Sequence, residues 1–142
     1  MPLWNVYHPV NAFTPEDKDA LAVQITDIYA RFMPRFYANV LFHPVPEDSF
    51  YIGGVRRNNF VRITMEHIAR NFQSEESSRR FIDKANQVLA PWVKDRGLDW
   101  EFHIDETQFA LWSVQGYYPP KQGTVDEARW IAENRPSPRT HD

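Results

Sequence analysis

The chain has 142 residues and no cysteine, which excludes a disulfide framework, a thiol nucleophile and a thiolate metal site. Apolar residues make up 42% of it, enough for a globular core, and the formal net charge of −3 at pH 7 disfavours a nucleic-acid-binding protein. No apolar run is long enough to cross a bilayer, and the first residues lack the pattern of a secretory signal. We therefore expect a soluble, cytoplasmic protein.

The N-terminal part of the chain is predicted to form a strand, a helix and a second strand. The first strand covers residues 3–8. A helix begins after Thr14, because a hydroxyl N-cap, a proline at the first helical position and acidic residues in the first turn all favour a helix start. Pro34 is expected to end it, and the second strand follows over residues 37–43. The inward residues of the helix and strand are Leu21, Ile25, Ile28, Phe32, Ala38, Val40 and Phe42.

The same order of elements recurs later in the chain. Residues 61–68 alternate between apolar and polar side chains, as a half-buried strand does. A second helix begins after Ser74. Pro91 is expected to kink this helix, and Gly97 is expected to be its C-terminal cap. Residues 100–105 form the last clear strand. The inward side chains of these strands are Val61, Ile63, Met65, Trp100, Phe102 and Ile104.

The repeat defines the predicted fold, which is α+β in one domain over residues 1–142. Thr14 and Ser74 are equivalent helix starts, so the chain contains two β-α-β units, at about residues 2–44 and 61–106. Right-handed crossovers make the two strands within a unit parallel. Both helices are expected to cover one face of a four-stranded mixed sheet.

The C-terminal tail, residues 107–142, does not continue the repeat. It is rich in aromatic residues as far as Tyr118, and residues 124–134 are predicted to form one short helix. Such a segment cannot bury its apolar side chains alone, so we expect it to wrap the core or a neighbouring subunit.

Pro2 is the first candidate for a catalytic role. Aminopeptidases generally remove an initiator Met before proline, which would expose a secondary amine. An α-amino group titrates at about 7.7–8, and burial beside an arginine lowers its pKa towards neutrality, where it can act as a general base. The alternative is that Pro2 merely begins an edge strand, where its missing N–H does no harm.

Arg70 follows the third strand, and ligand sites in α/β units favour such strand ends. Arginine binds a carboxylate through two parallel hydrogen bonds. Arg56, Arg57 and Arg62 form a further basic cluster around the two glycines at 53 and 54. The alternative for each of these arginines is a solvated surface side chain.

Two further candidates lie on regular elements. Tyr29 lies beside the apolar stripe of the first helix and is either a packing residue or a hydrogen-bond donor. His103 lies between Glu101 and Asp105 on the polar side of the last strand, a face suited to an edge or a subunit contact. The histidines lack the spacing of a dedicated metal site, so no metal is predicted. Glu106, Trp112 and Gln115 complete the polar and aromatic set near the tail.

The sequence contains none of the motifs that bind phosphate, dinucleotides or catalytic zinc, nor the nucleophile motif of the α/β-hydrolases. Proton transfer by an amine or a carboxylate, without a cofactor, is the simplest chemistry that remains.

Several blocks of the chain, taken together, resemble the cis-3-chloroacrylic acid dehalogenase group of the tautomerase superfamily, and in particular its uncharacterised fungal branch. The resemblance covers roughly residues 2–120 and includes the Met-Pro start and the doubled β-α-β plan. The blocks that carry it are Ile25-Thr26-Asp27, Phe50-Tyr51-Ile52-Gly53-Gly54-Val55, His67-Ile68-Ala69-Arg70, Trp100-Glu101-Phe102-His103-Ile104-Asp105-Glu106 and Leu111-Trp112.

The resemblance implies a homotrimer with a tautomerase fold and a pocket shared between strand ends and a neighbour's tail. Pro2 matches the catalytic proline, and Arg70 matches an arginine that holds the substrate carboxylate. No metal or cofactor is implied.

The chain departs from the dehalogenase pattern at four places. Tyr29 stands where the group has a helix histidine, Gln73 replaces a second arginine, and His103 replaces a tyrosine. The water-activating glutamate matches Val114, or with a one-residue shift Ser113 or Gln115. These changes argue against hydrolytic dehalogenation and for a different or less acidic substrate.

We therefore predict a tautomerase or isomerase that moves a proton on a small enol or unsaturated carbonyl acid. The predicted catalytic residues are Pro2, Arg70, Tyr29 and His103, and the predicted substrate-binding residues are Gln73, Trp112, Gln115 and Arg57. Two alternatives stay open. One is a hydratase, dehalogenase or decarboxylase that uses the protonated proline as an acid, and the other is a non-catalytic binding module.

Overall fold

The computed structural model describes residues 1–140, so the last two residues of the predicted tail lie outside the described part of the chain. The regular elements follow the doubled β-α-β order and end with a third helix. They are β1 (Pro2–Pro9), α1 (Pro15–Asp27), β2 (Asn39–Val45), β3 (Tyr51–Ile52), β4 (Val55–Arg56), β5 (Phe60–Ile68), α2 (Glu75–Leu89), β6 (Asp99–Thr107) and α3 (Val125–Glu133).

The four long strands form one mixed sheet in the order β2-β1-β5-β6. The strands within each unit are parallel, as predicted, and β1 runs antiparallel to β5. Pro2 pairs with His67 in the register of β1 and β5. The N-terminus therefore lies beside the end of β5, where the chain leaves the sheet towards Arg70.

The core lies between one face of the sheet and helices α1 and α2. Trp4, Val6, Ile63 and Met65 are fully buried at alternate positions of the two central strands, which confirms the predicted alternation of β5. The helices contribute Leu21, Ile25, Ala85 and Leu89 to the same cluster. The opposite face of the sheet carries polar pairs between neighbouring strands, such as Asn5 with His43 at 2.8 Å.

Both crossover helices begin where the sequence predicts. The Thr14 hydroxyl accepts a hydrogen bond from the backbone N–H of Asp17, whose carboxylate accepts one from Thr14 in return. Ser74 and Ser77 cap α2 through the same reciprocal arrangement. These caps satisfy backbone N–H groups that have no partner within the first helical turn.

The predicted end of α1 is wrong. The helix ends at Asp27 rather than near Pro34, because the backbone N–H groups of Ile28 and Tyr29 bond three residues back instead of four. The tighter turn rotates later side chains off the apolar stripe, and Phe32 is 46% exposed.

Two other boundaries also differ from prediction. Pro91 does not kink α2; the α-helix ends at Leu89 and the chain continues as a short 3-10 turn, Ala90–Trp92, which needs no N–H from the proline. Gly97 has φ of 72° and caps the next 3-10 turn, which ends at Arg96. The second strand begins at Asn39, because Tyr37 belongs to a 3-10 turn.

A short hairpin, β3 with β4, was not predicted from the sequence. Gly53 and Gly54 form its two-residue turn with φ of 57° and 78°, a conformation that glycine adopts without strain. The hairpin leaves Tyr51, Ile52 and Val55 exposed.

The tail packs on its own subunit. Helix α3 lies between its cap residues Thr124 and Asn134, within the range predicted for it. Trp130 is fully buried against the rings of Phe36 and Tyr37, at 5.9 and 6.2 Å between centroids. None of the helices in the described part of the chain has the length and hydrophobicity of a membrane-spanning segment.

Candidate active site

A cavity of about 280 Å³ lies where the N-terminus, the end of β5 and the C-terminal tail meet. Its walls come from four segments that are distant in sequence, and most of the lining is aromatic or aliphatic. Charged groups are few, as is usual for a small-molecule site. The residues that supply its chemistry are Met1, Tyr37, Arg70, Trp112, Lys121 and Glu127.

The terminal amine of Met1 lies at this cavity and donates a hydrogen bond of 2.5 Å to the carbonyl oxygen of Ile68. Burial, and secondly the positive charge of Arg70, lower the pKa of this amine from 8.0 to about 5. The amine is therefore uncharged at neutral pH and can accept a proton. Pro2, the next residue, is buried, and its ring nitrogen is bonded to Met1.

Ala69 turns the chain from β5 into the cavity wall. It is a non-glycine residue in the left-handed region, with φ of 70°, and its N–H donates to the carbonyl oxygen of Thr107 at 2.9 Å. That conformation costs about 1–2 kcal/mol for an L-residue. Strained residues of this kind are concentrated at functional sites, and here the strained residue directly precedes Arg70.

Arg70 forms an ion pair inside the cavity wall. Its Nη2 lies 2.5 Å from Oε1 of Glu127 and 3.3 Å from the carbonyl oxygen of Phe32, whose ring it also faces. The second carboxylate oxygen of Glu127 accepts the N–H of Gly123 at 2.7 Å. Glu127 is only 6% exposed, so these partners replace the hydrogen bonds that water would give its carboxylate.

Tyr37 and Trp112 form the aromatic side of the cavity, with their rings edge to face at 5.0 Å. Both are buried, and neither the Tyr37 hydroxyl nor the Trp112 Nε1 has a hydrogen-bond partner among residues 1–140. Burial raises the pKa of Tyr37, so its hydroxyl stays protonated. Buried polar atoms usually have partners, and these two can donate to a bound ligand.

His67 lies behind the N-terminus, opposite Pro2 in the sheet, and is buried. Burial, followed by the nearby terminal amine, lowers the pKa of His67 to about 4. The imidazole is therefore neutral at neutral pH and adds no charge beside the amine.

The structure brings together two of the residues that the sequence singled out, and a third is next to the cavity lining in the chain. Arg70 and Trp112 line the cavity, and Pro2 directly follows Met1, which lines it too. Tyr37 and Glu127 were not predicted to be site residues. Tyr37 was predicted to belong to a strand, and an acid at the position of Glu127 is expected anyway in the first turn of a helix.

The other predicted site residues do not line the cavity within this chain. Tyr29 is 2% exposed in the core, and its hydroxyl accepts a hydrogen bond of 3.1 Å from the indole N–H of Trp4. His103 lies on the polar sheet face, 2.7 Å from Nη2 of Arg62. Gln73, Arg57 and Gln115 are exposed, and Gln115 is in a tight turn with φ of 51°.

Fold and cavity together define a protein with two fused β-α-β units and a terminal amine buried beside an arginine. The chain matches over residues 1–135 the family model described as "Putative oxalocrotonate tautomerase enzyme", and it therefore belongs to that family. This confirms the predicted place in the tautomerase superfamily.

Solved structures agree with this assignment. RhCC from Rhodococcus jostii RHA1 is 46% identical with a TM-score of 0.93, covering 96% of this chain and 99% of RhCC. A probable enzyme from Aspergillus fumigatus is 39% identical with a TM-score of 0.91, covering 96% of each chain. N1, a member of the cis-3-chloroacrylic acid dehalogenase family, shares the fold at 17% identity and a TM-score of 0.70, over 92% of this chain and 90% of N1. No curated protein matches the chain.

Proposed function

We propose that the protein is a tautomerase or isomerase that moves a proton on a small enol or unsaturated carbonyl acid, with the amine of Pro2 as general base after loss of Met1. The observation that carries this proposal is the largely apolar cavity at the N-terminus, where burial and Arg70 lower the pKa of the Met1 amine. Loss of Met1 would leave the amine of Pro2 as the new terminus beside the same cavity and the same arginine. A base that is uncharged at neutral pH is what such a proton transfer requires.

In the proposed reaction the neutral amine takes a proton from carbon or from an enol oxygen and returns it at another position. Arg70 stabilises the negatively charged oxygen, which is either a substrate carboxylate, as the sequence predicts, or the enolate formed during transfer. We assign the hydrogen bond to that oxygen to the hydroxyl of Tyr37, which lines the cavity. The hydroxyl of Tyr29 is instead buried in the core, where it is bonded to the indole of Trp4. General base catalysis of this kind contributes about 10²–10⁴-fold to a rate.

We also propose that the protein works as a cytoplasmic homotrimer. Two uncovered surfaces support an assembly: the hairpin with its exposed Tyr51 and Val55, and the polar sheet face that carries Arg62 and His103. A neighbouring copy could then bring His103, Arg57, Gln73 or Gln115 to the cavity.

The substitution Pro2→Ala tests the catalytic role. We expect kcat/KM on a panel of small enols and unsaturated carbonyl acids to fall about tenfold or more, because a primary amine on a flexible residue replaces a ring nitrogen of fixed direction. Alanine is also small enough for Met1 to be removed, so mass spectrometry must show the same processing in both proteins. Circular dichroism serves as the control for folding.

The pH profile then separates the two roles of the amine. As a base, the Pro2 amine should give a kcat/KM that rises with pH through its pKa and then levels off. We expect that pKa to be lowered as it is for the Met1 amine, because burial and Arg70 act at the same end of the chain. As an acid, in a hydratase or decarboxylase, it should give a rate that falls over the same range. Equal rates for Pro2→Ala and the unsubstituted protein, or a mature chain that keeps Met1, would remove the amine of Pro2 from the mechanism.

A further inference from the structure

We propose that Glu127 is a specificity-determining residue that occupies Arg70 and directs the cavity towards uncharged carbonyl or enol compounds, and against ligands with a permanent carboxylate. This inference narrows the proposed substrates to uncharged enol and carbonyl compounds, so that Arg70 stabilises the enolate rather than a substrate carboxylate. It rests on the proposed function only for the statement that the bound compound is a substrate. Glu127 acts through Arg70 and is a positioning residue.

The position beside Arg70 that an acidic ligand would occupy is already filled by a carboxylate of the protein. Glu127 lies 2.5 Å from Nη2 of Arg70 and is held there by the N–H of Gly123. Both charged side chains line the cavity. An incoming carboxylate must displace Glu127 or share Arg70 with it, and either outcome leaves two anions in a buried site with one buried cation.

The buried charges of the cavity are balanced before any ligand binds. The charges of Arg70 and Glu127 cancel within this chain, and burial lowers the pKa of the Met1 amine to about 5, so that this amine adds no charge at pH 7. Lys121 is exposed at the rim, where water and salt screen its charge. An uncharged ligand therefore leaves the buried charges balanced, whereas a carboxylate adds one negative charge.

The cavity also contains uncharged hydrogen-bond donors. The hydroxyl of Tyr37 and the indole N–H of Trp112 line the same cavity without partners among the described residues. Such donors suit a carbonyl or enol oxygen, because they need no counter-charge.

The same balance holds through the proposed reaction. When the amine removes a proton from the carbon beside a carbonyl, the C–H bond breaks, an N–H bond forms and the electron pair moves to the carbonyl oxygen. The ammonium and the enolate then carry opposite charges, so the net charge of the cavity is unchanged. Return of the proton to another position restores both neutral groups.

The test is equilibrium binding of two matched probes, 3-phenylpropanoate and 3-phenylpropanamide, measured by isothermal titration calorimetry at pH 7. The probes differ in charge but have the same shape, and the proposed reaction does not convert either of them. The unsubstituted protein should bind the amide at least as tightly as the acid. Glu127→Gln should raise affinity for the acid about tenfold or more relative to the amide, because Arg70 loses its internal anion. Glu133→Gln is the matched control on the same helix, with an exposed carboxylate outside the cavity lining.

A clear preference of the unsubstituted protein for the acid would overturn the proposal, as would an unchanged acid-to-amide ratio in Glu127→Gln or a failure of both probes to bind any variant. The preference of the unsubstituted protein does not depend on whether the variant folds. Because the probes report binding and not turnover, a Pro2→Ala protein that keeps full activity would refute the proposed chemistry and leave this measurement standing.

Discussion

Replacing Arg70 by methionine should lower the free energy of unfolding by about 3–5 kcal/mol, because it leaves the Glu127 carboxylate buried without a counter-charge. Methionine keeps much of the aliphatic stem, so the loss reports the guanidinium rather than a new cavity. The ion pair is largely buried on both sides, with side-chain exposures of 17% for Arg70 and 9% for Glu127. Chemical denaturation measures the effect.

The double variant, Arg70→Met with Glu127→Gln, separates stability from activity. Removing both charges should restore a large part of the lost stability. The attraction within a buried ion pair is largely offset by the cost of removing both charges from water, so losing the whole pair costs much less than losing one partner. Activity should stay low, because the proposed enolate has no positive charge beside it. Arg79→Met is the control: its pair with Glu75 is exposed on α2, and its loss should change stability little.

Two results would contradict this account of the pair. One is an Arg70→Met protein as stable as the unsubstituted chain, which would mean that Glu127 finds another partner or water. The other is a double variant as unstable as the single one, which would place the loss in packing rather than in charge.

Most of the fold could be predicted because its signals are local. Capping residues such as Thr14 and Ser74 identify helix starts by themselves, and alternation along β5 identifies its buried face. Because both units have the order strand, helix, strand, the two strands within each unit could also be predicted to be parallel. The end of α1 could not be predicted this way, since the apolar spacing continues past Asp27 while the hydrogen bonds do not.

The site was only partly predictable, for a physical reason. Pro2 and Arg70 could be predicted because each is marked by a local feature of the sequence. Pro2 follows the initiator Met, and Arg70 follows the end of a predicted strand. Glu127 and Tyr37 belong to the site because α3 packs beside the segment before β2, a contact between residues far apart in the chain. Nothing in the local sequence distinguishes Glu127 from an ordinary acid in a first helical turn.

Trp130→Ala is expected to have an effect of similar size, by detaching the helix that carries Glu127. The indole is fully buried, contacts Phe36 and Tyr37, and donates to the carbonyl oxygen of Ser137 at 3.1 Å. Truncating a buried tryptophan to alanine costs about 3–5 kcal/mol. Among the described residues of α3, Trp130 is the one buried apolar side chain, so its loss should release this helix before it unfolds the rest of the protein.

Hydrogen exchange distinguishes a local from a global loss. In Trp130→Ala the amides of α3 and of Gly123 should lose protection, while those of β1 and β5 keep theirs. Ile131→Ala, which removes an exposed side chain from the same helix, should leave both sets protected. Uniform loss of protection across the sheet would instead make Trp130 part of the central core. Local release of α3 would also move Glu127 away from Arg70, so this variant should shift probe binding towards the acid, as Glu127→Gln does.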